Sequence, residues 1–372
     1  MKGKKRYSWN STVLAGLLLL GMSWVMVACS EDSAYDSQDE DTIQLLSYSK
    51  QYHDVGSQLT RAISDEYEHY TTAPILAYMI DATQAQDIAK TTFRYSASSE
   101  MWSSAAKIQE GHTYYMYGFS PADAANPIIN KVTTSYSDGA YLTLKGVEGV
   151  SKKDLCVIVG VKQVNNEHAP VPQDLKPGAF KYIGTVKGNN FAYMLLHHLC
   201  AKLCFTMKVD EKYNELRTIK LTRMELKSVP NAYDVNVVLT ANSTGADPVS
   251  PAWSSSDSKV KNVSFFNDAK GTVLTTTATP ATLLPLKIGT DEEELHEIFV
   301  SPALSNSMML VCTYDVYDKK NNLVREGCTA ENKLPVSLVR GQMVTVNLTV
   351  NPTYLYVLSE PDLDNPTVKI GM

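Results

Sequence analysis

His198, Cys200 and Cys204 are the residues of this 372-residue chain whose types and spacing come nearest to metal chemistry, since His and Cys are the usual zinc ligands. If the segment from Leu199 to Val209 is one strand, its odd positions read Leu, Ala, Leu, Phe, Met, Val and its even positions Cys, Lys, Cys, Thr, Lys. The three side chains then share one face, with Lys202 between the cysteines. At roughly 3.3 Å per residue they are spread along about 20 Å of strand, and ligands so placed do not meet one ion at about 2.0–2.3 Å. Packing or inter-domain contact is the expectation for the cysteines, and a hydrogen-bonded or exposed ring for His198. Asp291-Glu292-Glu293-Glu294 reads as a solvated acidic turn, because calcium loops take oxygens from alternating positions. The sequence holds no H-E-x-x-H, G-x-S-x-G, P-loop or dinucleotide glycine pattern. No catalytic, cofactor-binding or metal residue is predicted, and the chain is not expected to be an enzyme.

A sixth cysteine, Cys29, stands in a different setting. Residues 1 to 12 carry Lys2, Lys4, Lys5 and Arg6 without an acid, and Val13 to Ala28 is almost wholly apolar, as in a secretory signal. The run is shorter than the roughly 18–20 residues that span a bilayer. Met26-Val27-Ala28-Cys29 resembles the lipobox of bacterial lipoproteins, in which the cysteine is acylated and becomes the new N-terminus. That resemblance implies several acyl chains, and more than one chain gives stable anchoring at about 0.8 kcal/mol per buried CH₂. Ser30 to Asp41 follows with six acids and no basic residue, so it should stay extended and solvated as a tether. Its acids are similar to the signal that sends lipoproteins of Bacteroidetes to the outer face of the outer membrane. Asp32-Ser33-Ala34 and Asp41-Thr42-Ile43 resemble the short O-glycosylation pattern of that phylum.

The formal charge of the chain is −6. The leader contributes basic residues and no acids, so the remainder is more acidic still. No basic stripe offers a footprint for DNA or RNA, which disfavours nucleic acid as a partner. The five cysteines after Cys29 are sparse and irregularly spaced, and most are expected to be buried apolar residues rather than a disulfide framework.

The elements that must carry these residues read as strands. Val344, Val346, Leu348 and Val350 alternate with Thr345, Asn347 and Thr349, as a half-buried strand requires. In TIKLTRMELK the apolar phase slips from Ile219 and Leu221 to Met224 and Leu226, which predicts a β-bulge. PILAYMI, TTFRY, TYYMYGF, AYLTL, DLCVIVGV, YDVNVVL and SMMLVCTYDVY are further strands, and YDVYDKKNNLVREG is a hairpin around Asp318 to Asn322. Many short strands without long 3.6-period segments indicate an all-β chain of sandwiches with little helix. The Pro-rich stretch His168 to Gly178 suggests a domain boundary near Gly188 to Asn190, and Ala241 to Ser258 reads as a long loop. The predicted organisation is a signal peptide (1–28), a lipidated Cys29 with tether (29–41), an N-terminal β-sandwich (42–188) and a C-terminal β-sandwich (189–372).

The chain as a whole resembles the fimbrillin-like lipoproteins of Bacteroidetes, the type V pilins with their anchor and tip relatives. The resemblance is carried by the lipobox, Leu59-Thr60-Arg61-Ala62, Met101-Trp102 followed by Tyr114 to Pro121, His198-Leu199-Cys200-Ala201-Lys202-Leu203, and Leu338-Val339-Arg340-Gly341 before the closing strand. It implies two tandem transthyretin-like β-sandwich domains, a place on the cell surface in fimbriae, and a lipid anchor in the outer membrane. It also implies maturation by a trypsin-like protease, here between Arg61 and Ala62, that frees a first strand around IQLLSY. Arg94 is the alternative basic site. The emptied groove would then take a strand from another fimbrial subunit, because an open edge exposes unpaired N–H and C=O groups beside an apolar slot. The C-terminal donor would be TYLYVL or Thr367 to Ile370, beyond a hinge SEPDLDNP, which equally fits a loop before a resident final strand. The resemblance implies no cofactor, and host or bacterial surface ligands as adhesive partners. A surface glycan-binding lipoprotein of a polysaccharide-uptake system shares the same leader and sandwiches. Trp102 and Trp253, the two Trp outside the leader, are its first candidates for a sugar platform.

Overall fold

The computed structural model describes residues 42–54, 67–82, 88–166, 169, 171–172, 174–186, 188–241, 247–277, 296–354 and 361–371. The chain first forms β1 (Thr42–Lys50), β2 (His53–Asp54), β3 (Tyr67–His69), β4 (Ile75–Asp81), β5 (Ile88–Ser96), β6 (Met101–Lys107) and β7 (Thr113–Ser120). There follow β8 (Asn126–Lys131), β9 (Gly139–Val147), β10 (Val150–Ser151), β11 (Cys156–Val164), β12 (Lys181–Ile183), β13 (Phe191–His198) and β14 (Ala201–Val209). A short helix α1 (Glu211–Leu216), N-capped by the Asp210 carboxylate, leads into β15 (Thr218–Pro230), β16 (Tyr233–Thr240), β17 (Val249–Ser255) and β18 (Val260–Val273). The last strands are β19 (Glu297–Val300), β20 (Met309–Tyr317), β21 (Leu323–Lys333), β22 (Gln342–Tyr354) and β23 (Pro361–Gly371). Apart from α1, a single 3-10 turn at Pro302–Leu304 is the helical structure among the described residues. The fold is all-β, as the alternation predicts.

The first sheet has nine strands, in which β12 pairs with β7 and β3 with β1; the other seven run β11-β13-β1-β6-β5-β4-β7, and a pairing of β7 with β11 at Phe119↔Val157 and Ser120↔Cys156 joins the two ends of that run. Seven strands therefore form a closed ring. Its interior holds Ile43, Leu45, Ile75, Ala77, Met79, Phe93, Trp102, Met116, Ile158, Met194 and Leu196. The intervening residues of the same strands, among them Leu76, Tyr78, Val157, Val159, Tyr193 and Leu195, face outward into a second core. That core is completed by the four-stranded sheet β17-β16-β9-β8 through Leu142, Leu144, Val235, Val237 and Leu239. This double burial explains why β4 and β11 read as continuous apolar runs: neither face meets water.

A third core lies between the sheet β10-β19-β14-β22, extended by β2 and β23, and the sheet β18-β15-β20-β21. Here the predicted alternation is plain, with Leu203, Phe205, Met207, Val346, Leu348 and Val350 meeting Leu221, Met224, Leu226, Leu310, Cys312 and Tyr314. The predicted bulge is present, since Leu221 and Arg223 face the adjacent residues Tyr314 and Thr313 and leave Thr222 over. The hairpin turns at Asp318, whose Oδ1 accepts from the N–H groups of Lys320 and Asn322, with Asn321 at φ 64°.

Three expectations are corrected. The sheets do not divide at residue 188/189: β13 pairs with β1 and β11, and β16 pairs with β9, so strands from both sides of that point share one sheet. The stretch Ala241 to Ser258 is not all loop, because Val249–Ser255 forms β17 against β16, an edge position that tolerates Pro251. The residues Pro361 to Pro366, expected as a hinge, belong to β23. Pro361 and Asp362 pair with Tyr354 and Thr353, Thr367 pairs with Asn351, and residues 363–366 are the surplus between them.

Candidate functional site: the first strand and the histidine pair

β1 alternates half-buried and buried residues along its whole length. It lies between β13, with which it runs parallel in register from Gln44↔Phe191 to Ser49↔Leu196, and β6, which is antiparallel. Ile43 and Leu45 are fully buried in the ring, which stabilises by about 1.5–3 kcal/mol for each side chain. The same row continues with Ser47 and Ser49, also buried. The Ser47 hydroxyl meets no hydrogen-bond partner among the described residues, a cost of about 1–3 kcal/mol. The second half is paired on both sides, with β13 through Ser49 and with β3 at Tyr48, Ser49 and Lys50.

Beyond Lys50 the chain reaches Tyr52, whose ring stacks on His198 at 3.9 Å with an angle of 28°. The Tyr52 hydroxyl donates to Asp154 Oδ1 at 2.8 Å. His198 Nδ1 lies 2.6 Å from Asp154 Oδ2 and 3.3 Å from Cys156 Sγ, while Nε2 meets the carbonyl oxygen of Lys50. β11 and β13 bring this about by pairing Cys156 opposite His198. Cys156 is fully buried, and burial, reinforced by the Asp154 carboxylate, pushes its thiol well up.

The neighbouring His197 points to the other side of β13. Its Nε2 is 2.7 Å from the Tyr67 hydroxyl, and its Nδ1 is 3.4 Å from Asp247 Oδ1 but off the line of a hydrogen bond. Asp247 also holds the Arg340 guanidinium, which reaches the His198 and Val249 carbonyls at 3.3 Å. Burial raises the Asp247 carboxyl, and His197 and Arg340 more than reverse this, to about 2. For His197 burial is the larger effect and lowers the imidazole; Asp247 offsets part of it, and Lys50 and Arg340 add to it. Lys50, His53, His197, His198, Asp247 and Arg340 line a cavity of about 210 Å³ here.

Several residues singled out in the sequence fall elsewhere. Cys29, Arg61, Ala62 and Asp291 to Glu294 lie outside the described residues. Arg94 is exposed within β5, paired opposite Ser103. His198, Cys200 and Cys204 are not on one strand, because the backbone passes between sheets at Leu199 and Cys200. Leu199 N–H bonds the Leu155 carbonyl there, and the Cys200 carbonyl accepts from Gly341 N–H. Cys204 sits on β14 beside the Lys202–Glu297 ion pair, its thiol raised by burial to about 11. The five described cysteines are buried and form no disulfide with one another. Neither Trp presents an open face: Trp102 is 2% exposed with its N–H on the Tyr70 carbonyl, and Trp253 is half-buried, edge-on to Tyr233 at 5.7 Å. The grouping of Asp154, Cys156 and His198 has no local sequence signal, since its members meet only through strand register.

No family model and no curated protein matches the sequence. Solved structures do match. A candidate cell adhesion protein of Bacteroides fragilis is 13% identical, with 89% of this chain and 97% of that one covered and a TM-score of 0.41. A fimbrial protein of Bacteroides vulgatus is 11% identical over 89% and 98%, with a TM-score of 0.36. A fimbrial anchor protein of Porphyromonas gingivalis is 11% identical over 88% and 97%, with a TM-score of 0.27.

Proposed function

We propose that the chain is a surface component of fimbriae, structural or adhesive in role, made as a precursor anchored by lipid through Cys29 in the outer membrane and joined to other subunits by strand exchange once cleavage between Arg61 and Ala62 has parted it from that anchor. The observation that carries this reading is β1 itself. It is a first strand set between two partners, and its loss would leave six residues of β13 paired with β11 alone, an open edge on the other side, and an apolar slot in the ring. An open strand of that kind is completed by an incoming one.

The far end of the chain offers a fitting occupant. Thr42-Ile43-Gln44-Leu45 of β1 and Thr367-Val368-Lys369-Ile370 of β23 share one pattern, two aliphatic residues on one face with a long polar residue between them. In its own molecule β23 lies on β22, with Val368 buried and the Tyr314 hydroxyl donating to the Pro366 carbonyl at 2.6 Å. A subunit donating β23 would give up those contacts and regain equivalent ones in the groove left by β1.

The test is digestion of the full-length chain with a trypsin-like protease, with N-terminal sequencing and electrophoresis in SDS without heating. A new N-terminus at Ala62 and a ladder that resists SDS are expected, and a chain ending before Pro361 should be cut without laddering. An uncut Arg61–Ala62 bond, or complete cleavage without any ladder, overturns strand exchange.

A further inference from the structure

Asp154, Cys156 and His198 present one oxygen, one sulfur and one nitrogen within 4.8 Å of one another at the end of the ring. We infer that these three residues bind a divalent transition-metal ion of the zinc class through Asp154 Oδ2, Cys156 Sγ and His198 Nδ1. Bonds of about 2.0–2.3 Å at tetrahedral angles set donor atoms about 3.3–3.8 Å apart. The Nδ1 to Sγ distance of 3.3 Å is already of that size. The Nδ1 to Oδ2 distance of 2.6 Å needs the carboxylate to turn outward by about 1 Å, which makes room for the ion.

The surroundings are those of a ligand set held in place from behind. A metal-bound imidazole usually donates its other N–H to a carbonyl or carboxylate, and a ligating carboxylate is itself hydrogen-bonded. Here His198 Nε2 meets the Lys50 carbonyl, Asp154 Oδ1 accepts from the Tyr52 hydroxyl, and the Tyr52 ring fixes the plane of the imidazole by stacking. A neutral imidazole carries one N–H. With that proton on Nε2 for the Lys50 carbonyl, Nδ1 turns a lone pair toward the Asp154 carboxylate, and a cation between them relieves the repulsion.

The fourth position is left to water or another donor, as in three-ligand zinc sites. Binding displaces the Cys156 thiol proton to solvent, since the thiolate is the ligand. Affinity should therefore rise with pH.

The probe is cobalt(II), followed by competition with zinc(II), on the reduced full-length chain. One equivalent should bring up a thiolate-to-cobalt charge-transfer band near the ultraviolet and tetrahedral d–d bands, and one equivalent of zinc should abolish both. Cys156→Ser should remove the charge-transfer band, and His198→Gln should weaken zinc at least tenfold, while Cys312→Ser, in the third core, should leave both unchanged. Circular dichroism establishes that each variant is folded. The inference is overturned if the folded chain shows no thiolate band with cobalt, or if folded Cys156→Ser keeps the band at full strength.

Discussion

At the scale of the residue, the two adjacent histidines of β13 show how far position on a strand decides chemistry. His198 continues the row of Ala192, Met194 and Leu196 into the ring, whereas His197 continues that of Tyr193 and Leu195 outside it. His197 is buried between Tyr67 and Asp247, and its imidazole is shifted down from the ordinary value near 6.5. A folded-state value below the unfolded one means that the unfolded chain takes up the proton first. Stability from this group is complete above about pH 6.5 and is lost as pH falls toward the folded value. Urea midpoints at pH 7.5, 6.5 and 5.5 should therefore decline toward acid, and His197→Gln should flatten that decline; an unchanged slope would refute the assignment. Of these residues the sequence made only the types visible. Nearness in the chain groups His198 with Cys200 and Cys204, whereas its neighbours in the fold are Cys156 on β11, Asp154 just before it and Tyr52 beyond β1.

At the scale of the element, legibility follows the number of faces a strand buries. β22 buries one face and alternates, β14 alternates in sequence although Cys204 and Thr206 on its second face are buried too, and the bulge in β15 shows as a slip of the apolar phase at Thr222. β4 and β13 bury both, so their period disappears and only the apolar content remains to suggest a core strand. β17 and β21 are largely exposed, and their pairing rather than their composition makes them strands. Close packing inside the ring adds a demand that composition hides. A Cβ on Gly118 of β7 would stand 2.0 Å from the Leu76 carbonyl oxygen of β4 and 2.9 Å from Ile158 Cδ1. Gly118→Ala should then destabilise by about 1–3 kcal/mol, the usual range for overpacking, or more because the nearest atom is backbone. Urea denaturation reads the loss, and a variant as stable as the parent would show that β4 and β7 can move apart.

At the scale of the whole molecule, the long-range pairings are what the sequence withheld. The all-β class and the scarcity of helix among the described residues followed from periodicity, but the parallel pairing of β1 with β13 joins residues some 150 apart in number, and no local pattern marks it. The antiparallel ladder of β23 on β22, by contrast, joins strands consecutive in the chain, and it covers an edge that would otherwise stand open. Truncation before Pro361 should expose that edge and produce self-association that grows with concentration in sedimentation velocity, since unpaired edges recruit other strands. A truncated chain that stays monomeric would mean that the edge is protected by other means. The register of β1 has one more consequence, a mechanical one. A pull on residue 41 enters the fold at Thr42, and directed along the strand it loads the six pairs with β13 together, as shear, instead of opening them one after another. β1 is thereby the strand placed to bear tension from the N-terminal side.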